Sequence, residues 1–260
     1  MHKLHPAAAK STELWRHLLQ TTNYLFRAII TPKELVAIGC LCPLIHLVVT
    51  HIVSPHTPEQ FETARTLSAT IQWGGMLLCC TLISLNTIRW QLEEGYAADL
   101  LTITTPRRWL IANWLAVWLA CVTQLAFHLL TLMSDCLAHH QFGPIPLHHW
   151  SIYALNGALT LLAVTAGGIV FSLFATKNSG FIYLVVILAA WINYIPEPFS
   201  YLLPPIYLLD AKGLLVAAGS TASYAINTKG WVAAALATLA YSVILNNIPS
   251  RRFVLTRLRT

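Results

Sequence analysis

The sequence predicts an all-α integral membrane protein with six transmembrane helices, and three observations favour this fold. Apolar residues make up 56% of the 260-residue chain, whereas charged residues make up 10%. A soluble domain carries about 25% charged residues, so this chain has too few to cover a water-facing surface. Six apolar stretches reach or approach the roughly 20 residues that a helix needs to cross a bilayer. The Lys and Arg residues are also unevenly distributed among the loops that these spans would leave.

The first segment, residues 1–34, is predicted to be cytoplasmic and to contain an amphipathic helix. Leu14, Trp15, Leu18 and Leu19 recur at helical spacing beside basic residues. This pattern is typical of a helix that lies on the inner membrane surface. An ordinary helical extension would show the same spacing. The segment lacks the apolar core of a signal peptide.

The transmembrane domain is predicted to occupy residues 35–250. Its six spans are, in order, 35–54, 67–88, 109–134, 150–176, 181–195 and 230–248. Prolines at 196 and 198 interrupt the fifth span, and Pro249 ends the sixth. Between them, 202–226 is apolar but too broken to cross, so we expect a re-entrant or interfacial segment before helix six. Residues 251–260 form a basic tail.

The positive charges orient these spans. With the N-terminus in the cytoplasm, all but three of the 16 Lys and Arg residues fall on the inner side. The three outer residues are Arg65, Lys212 and Lys229. Because cytoplasmic loops carry an excess of Lys and Arg, both termini are predicted to be cytoplasmic.

The cytoplasmic loop between the second and third spans is the most informative stretch. Its apolar residues fall on one face of a predicted short helix: Leu92, Tyr96, Leu100 and Ile103. Its acidic residues lie elsewhere on that helix: Glu93, Glu94 and Asp99. Pro106 should end the helix, and Arg107 and Arg108 should anchor the next span at the headgroups. The helix could transmit the movement of a cytoplasmic partner to the membrane spans. Alternatively, it could be a connector whose acidic residues keep it in water.

This loop resembles the ABC-2-type exporter permeases, in which acids, a glycine, a Leu-Leu pair, a proline and basic residues lead into a span. The matching residues are Glu93, Glu94, Gly95, Leu100, Leu101, Pro106, Arg107 and Arg108. In that family the segment is the coupling helix, which docks into a groove of the nucleotide-binding subunit. The resemblance implies that the residues coupling this chain to an ATPase are Leu92, Glu93, Glu94, Gly95, Tyr96, Asp99, Leu100 and Ile103. The order of amphipathic helix, six spans and basic tail is similar too.

The resemblance implies the permease subunit of an ATP-driven exporter in the bacterial inner membrane, with 35–250 as the permease domain. The chain has no Gly-Lys dipeptide and therefore no phosphate-binding loop. We therefore expect no catalytic residues and no cofactor in this chain, with ATP and Mg²⁺ on a separate ABC ATPase subunit. A second permease copy or a homologous permease and membrane lipid are the other expected partners. Nucleic acid is not an expected partner.

A finer pattern is similar to the haem-exporter membrane subunit of cytochrome c maturation. It comprises Pro32-Lys33-Glu34 before the first span and Lys177-Asn178-Ser179-Gly180 between the fourth and fifth. The N-terminal and C-terminal parts are longer than that subfamily implies. Haem, peptide and lipid-like cargo therefore stay open.

An outer loop carries two His-His pairs, which are candidate outer-side ligands for a metal or haem: His139, His140, His148 and His149. Their spacing matches no tetrahedral template, so no metal site is predicted. Histidine would also supply polarity outside without violating the charge bias.

Two alternatives of other classes stay open, a membrane scaffold without transport and an ion-coupled carrier. A carrier places carboxylates or histidines inside its spans. No acid lies well inside a predicted span, but His46 and His128 do, and we expect them to face protein. The Trp residues are expected mostly at the membrane interfaces, and Gly74-Gly75 and Gly167-Gly168 where helices approach closely.

Overall fold

A computed structural model of the protein describes residues 6–29, 32–53, 57–93, 95–138, 147–174, 182–185, 239, 240 and 243. The regular secondary structure of these residues is entirely helical. The helices are α1 (Pro6–Ile29), α2 (Pro32–Val53), α3 (Pro58–Glu93), α4 (Tyr96–Ile103), α5 (Pro106–Ala138) and α6 (Leu147–Phe174). Most of the predicted fifth and sixth spans, the broken segment between them and the basic tail lie outside the described residues.

The starts of these helices follow from local chemistry. Four of the helices begin with a proline, whose missing N–H costs nothing in the first turn: α1, α2, α3 and α5. At the start of α3, the amide of Gln60 donates to Thr57 Oγ1 at 3.3 Å. The Thr57 amide donates in return to Gln60 Oε1 at 3.2 Å. This reciprocal pair is a capping box, and it satisfies two amides that a helix start leaves unpaired.

Two stretches of the described helices are long and apolar enough to cross a membrane: Ile71–Leu92 in α3 and Pro106–Asp135 in α5. They overlap the predicted second and third spans, 67–88 and 109–134. Shorter apolar stretches, Gly39–Val53 in α2 and Gly157–Leu173 in α6, fall within the predicted first and fourth spans. The all-helical class is therefore confirmed for the described part of the chain.

The central core lies between α3, α5 and α6, and its fully buried residues include Leu77, Leu110 and Leu161. α2 packs against α3 and α5. A Cβ added at Gly168 in α6 would overlap a side chain of α3, so the predicted close approach is confirmed there. Gly75, by contrast, is exposed, and a Cβ added there would have no atom of the described residues within 4 Å.

The tryptophans of α5 correct the expectation of an interfacial belt. Trp109 is fully buried. Trp114 Nε1 donates to the carbonyl of Leu162 at 3.1 Å, and Trp118 Nε1 donates to that of Ala158 at 2.9 Å. Because an indole N–H buried in an apolar bundle needs an acceptor, these residues hold α5 against α6.

The amphipathic helix expected within residues 1–34 is present as α1, and it packs along the first half of α5. Its buried Leu18 and Leu25 form a cluster with Ala112 and Ala116 of α5. Small residues at this position let two helix backbones approach closely. The exposed side chains of α1 include Trp15, Leu19 and Tyr24.

Candidate functional site

The turn between α3 and α4 depends on one glycine. α3 ends at Glu93, and Gly95 has a φ of 79° and a ψ of −6° before α4 begins at Tyr96. This left-handed conformation is open to glycine and strained for residues with a Cβ. The prediction of one helix from Leu92 to Ile103 is therefore wrong, because Leu92 belongs to α3 and Gly95 separates it from α4.

The turn between α4 and α5 is built from two threonines. Thr104 is extended, with a φ of −134°, and its amide donates to the carbonyl of Leu100 at 2.9 Å. Thr105 Oγ1 accepts a weak bond of 3.4 Å from the Arg108 amide and so caps α5. The short helix ends at Ile103, shortly before Pro106 as expected, and Pro106 also starts α5. α4 is thus a separate helix of eight residues that is fixed at both ends.

α4 has one buried face and one exposed face. Ala97 is fully buried, and Leu100 and Leu101 pack against the central core. Tyr96 is 45% exposed, and Asp99 is exposed as well. The predicted single apolar face is therefore only partly buried, since Tyr96 is exposed although it lies one helical turn from Leu100, which packs against the core.

The exposed face of α4 continues onto the end of α3. The rings of Trp90 and Tyr96 pair with centroids 5.3 Å apart and planes at 34°, which is a normal aromatic separation. We call the exposed residues of this region the α4 surface: Trp90, Gly95, Tyr96, Ala98, Asp99 and Thr102. It combines an aromatic pair with a carboxylate, and aromatic side chains are typical anchors of protein interfaces.

Leu100 connects α4 to two parts of the bundle. It packs against the central core of α3, α5 and α6, and also against the cluster that α1 forms with α5. A displacement of α4 would therefore press on both groups of helices. Its half-buried position suits Leu100 to transmit motion within the bundle, whereas the α4 surface is suited to contact a partner.

Three buried polar side chains join the end of α3 to the start of α5, and we call them the Gln91 triad: Gln91, Trp109 and Asn113. Gln91 Oε1 accepts from Trp109 Nε1 at 2.8 Å and from Asn113 Nδ2 at 3.3 Å. Gln91 Nε2 donates to Asn113 Oδ1. Asn113 Nδ2 also donates to the Trp109 carbonyl at 2.9 Å. These mutual bonds satisfy amides that would be costly alone in an apolar core.

Sequence reasoning missed this triad. The available signal was the pair of amides, Gln91 three residues beyond the predicted second span and Asn113 near the start of the predicted third span. Periodicity alone does not show that two such side chains meet across helices.

The structure describes some of the predicted coupling residues only in part. Glu93 is the last residue of α3, but its side chain lies outside the described part of the chain, as do the side chain of Ile103 and all of Glu94. Arg107 is exposed and Arg108 half-buried in the first turn of α5. Their anchoring at lipid headgroups stays a prediction.

The outer histidines do not form a described site. His148 and His149 lie in the first turn of α6, but their side chains and residues 139 and 140 are outside the described part. Among the described residues, no group of three His, Cys, Asp or Glu side chains is placed to hold a metal ion. The ligand role of these histidines stays a prediction.

Compared with models of known protein families and with curated protein sequences, the chain has no match. The α4 surface, its contacts with the bundle and the composition of the chain therefore carry the functional assignment.

Proposed function

We propose that this protein is the membrane-spanning permease subunit of an ATP-driven ABC exporter, and that a separate ATPase subunit docks on the α4 surface. The observation that carries the proposal is the construction of α4. It presents the Trp90–Tyr96 pair and Asp99 outward, while Ala97, Leu100 and Leu101 are set into the bundle. A short helix held in this way transmits force applied to its outer face.

In the proposed mechanism, ATP binding and hydrolysis on the partner displace α4. Leu100 passes this displacement to the helices that it contacts. The Gln91 triad keeps the adjoining ends of α3 and α5 together, so the two helices move as one unit. The spans then switch between packings open to opposite sides of the membrane, and this chain contributes no covalent chemistry.

The proposed topology places α4 on the cytoplasmic side of a bacterial inner membrane. The charge bias supports this orientation, because all but three of the 16 Lys and Arg residues then lie inside. In this topology the chain crosses six times, α1 lies at the inner surface and both termini are cytoplasmic. A second copy or a homologous permease completes the transport unit.

The docking proposal is tested by isolating the full-length protein from its native membrane in detergent and measuring ATP hydrolysis in the purified complex. We expect Tyr96→Ala and Asp99→Arg to lower the co-purifying ATPase activity. An aromatic anchor is worth about 2 kcal/mol, which is roughly a 30-fold loss of binding. Ile52→Ala, at an exposed apolar residue near the end of α2, is the matched control and should change nothing. The proposal is wrong if no ATPase accompanies the wild-type protein or if both α4 variants retain it.

A second variant separates docking from transmission. Leu100→Ala removes the side chain that joins α4 to both helix clusters, but it leaves the α4 surface in place. We expect the ATPase to remain bound while cargo no longer stimulates its activity. Loss of the ATPase from this variant would instead make Leu100 part of the docking contact.

The cargo of this proposed exporter is a small or lipid-like molecule, and haem and peptide are specific candidates. Haem is tested by the absorbance of the purified complex and by the loss of cytochrome c when the gene is deleted. Haem would be removed as a candidate if the purified complex carries none and if cells with the gene deleted still make cytochrome c.

One observation favours a second candidate function, an ion-coupled carrier. Asp135 and His46 pair inside the helix bundle, with Asp135 Oδ1 3.1 Å from His46 Nε2. Carriers place ionisable groups of this kind within their spans. Proteoliposomes would distinguish the two, since a carrier accumulates cargo under an ion gradient without ATP. A membrane scaffold would show neither ATP-driven nor ion-driven uptake.

A further inference from the structure

Five polar side chains from α2, α3 and α5 form a second buried site, which we call the His46 network: His46, Ser68, Gln72, His128 and Asp135. His128 Nδ1 lies 2.8 Å from Gln72 Oε1. Gln72 Nε2 donates to Ser68 Oγ at 2.9 Å, and Ser68 Oγ lies 3.0 Å from His46 Nδ1. His46 Nε2 lies 3.1 Å from Asp135 Oδ1, within ion-pair distance but without the alignment of a hydrogen bond.

The network is enclosed by protein. The side chains of His46 and Asp135 are 12% and 6% exposed, and Ser68, Gln72 and His128 are buried. A carboxylate in such surroundings is costly unless a positive charge or a proton compensates it. The His46–Asp135 pair has no net charge when the two residues share one added proton, so burial favours that state.

Ser68 allows His46 to take up this proton without moving any heavy atom. A hydroxyl has one donor and two acceptor sites. When His46 Nδ1 is unprotonated, Ser68 donates to it while accepting from Gln72. When Nδ1 carries a proton, Ser68 accepts from both partners and its own hydrogen turns away. The same three side chains therefore accommodate both protonation states.

The site lies at the end of the bundle opposite α4. His128 is about 33 Å and Asp135 about 43 Å beyond Pro106 along α5, at 1.5 Å per residue. A hydrocarbon core is roughly 30 Å thick. With Pro106 at one membrane interface, the network is therefore level with the other, close to the water on that side of the bilayer.

We propose that the His46 network is a proton-binding site that exchanges with the aqueous phase at this end of the bundle. A hydronium ion of that phase gives its proton to His46 Nδ1, and the proton leaves by the same path. The bound state is a charged His46–Asp135 pair that holds α2 to α5. The proposed proton site is compatible with an ATP-driven permease as well as with a carrier, so the proposal does not depend on ATPase docking.

Other titratable or charged residues lie at this end in the same helices and in α6. They are Cys42 and His51 in α2, Glu59, Glu62 and Arg65 in α3, Cys136 in α5, and His148 and His149 in α6. His51 is exposed, and among the others only the Cys42 side chain is described. The test must therefore report on His46 itself and not on the total proton uptake.

Nitrogen-15 spectra of the histidine side chains in the full-length protein make this measurement, because they separate neutral from cationic imidazoles. The His46 signal is assigned as the one that His46→Gln removes. We expect part of this signal to be cationic in the wild-type protein, because the proposed site holds a proton. In Asp135→Asn, the cationic fraction at the same pH should fall at least roughly two-fold, because the compensating charge is gone.

His17, an exposed histidine of α1, is the internal control, and its signal should be the same in both proteins. A His46 signal that is neutral at every pH at which the wild-type protein stays folded would overturn the proposal, and this result needs no variant. So would an unchanged cationic fraction in Asp135→Asn. If Asp135→Asn does not fold, Ser68→Ala serves instead. It removes the bond to Nδ1 in both states, but the bond to the protonated ring is charge-assisted and stronger, so the cationic fraction should fall too.

Discussion

Replacing Gln91 with leucine tests whether the Gln91 triad joins α3 to α5 beneath α4. Leucine fills a similar volume, so the main loss is of hydrogen bonds. Trp109 Nε1 loses its acceptor and Asn113 Oδ1 loses its donor, whereas Asn113 Nδ2 keeps the Trp109 carbonyl at 2.9 Å. Two buried polar groups are thus left without these partners. At about 0.6–1.7 kcal/mol for each bond in a membrane bundle, we expect a loss of roughly 1–3 kcal/mol.

The assay is the free energy of unfolding of the purified full-length protein in mixed micelles, measured by titration with a denaturing detergent. Gln20→Leu, at an exposed glutamine of α1, is the control and should stay within about 0.5 kcal/mol of wild type. Combining Gln91→Leu with Trp109→Phe removes one orphaned donor, so the double variant should lose about 0.6–1.7 kcal/mol less than the sum. A cost for Gln91→Leu no larger than that of Gln20→Leu, or strict additivity, would refute the role of the triad.

Three further changes are checked by the same unfolding measurement. Gly95→Ala should cost about 1 kcal/mol, because the left-handed φ of 79° disfavours a Cβ; an unchanged stability would contradict this. Gly168→Ala should cost about 1–3 kcal/mol by overlapping a side chain of α3, whereas its matched control Gly75→Ala, in open space, should gain about 0.5–1 kcal/mol. Equal effects of the two would count against the packing described. Trp118→Phe should cost about 0.5–1.5 kcal/mol of stability, because it removes the bond to the Ala158 carbonyl. An unchanged stability would contradict a stabilising role for that bond.

The short helix in the loop shows which structural features the pattern of apolar residues predicts and which it does not. Apolar spacing in 92–103 predicted a helix, and α4 is there. It did not reveal the break at Gly95, because a glycine next to acids reads equally as a loop or as part of a helix. Nor did it separate Tyr96 from Leu100, which are one helical turn apart but differ in burial.

The second missed feature is the pairing of His46 with Asp135. Both histidines of the predicted spans do face protein, as expected, with His128 almost fully buried. Asp135 lay one residue beyond the predicted third span, so it was not counted as an intramembrane acid. In the structure α5 continues to Ala138, which carries Asp135 to the level of His46.

Composition and the distribution of charge by themselves determined that the described chain is helical and where its apolar stretches lie. The physical reason is that few charged side chains and long apolar runs leave the backbone to satisfy itself within helices. Only the tertiary structure decided which polar side chains meet: Gln91 with Asn113, and His46 with Asp135. These pairs lie 22 and 89 residues apart and depend on the level at which neighbouring helices pack, which no local pattern encodes.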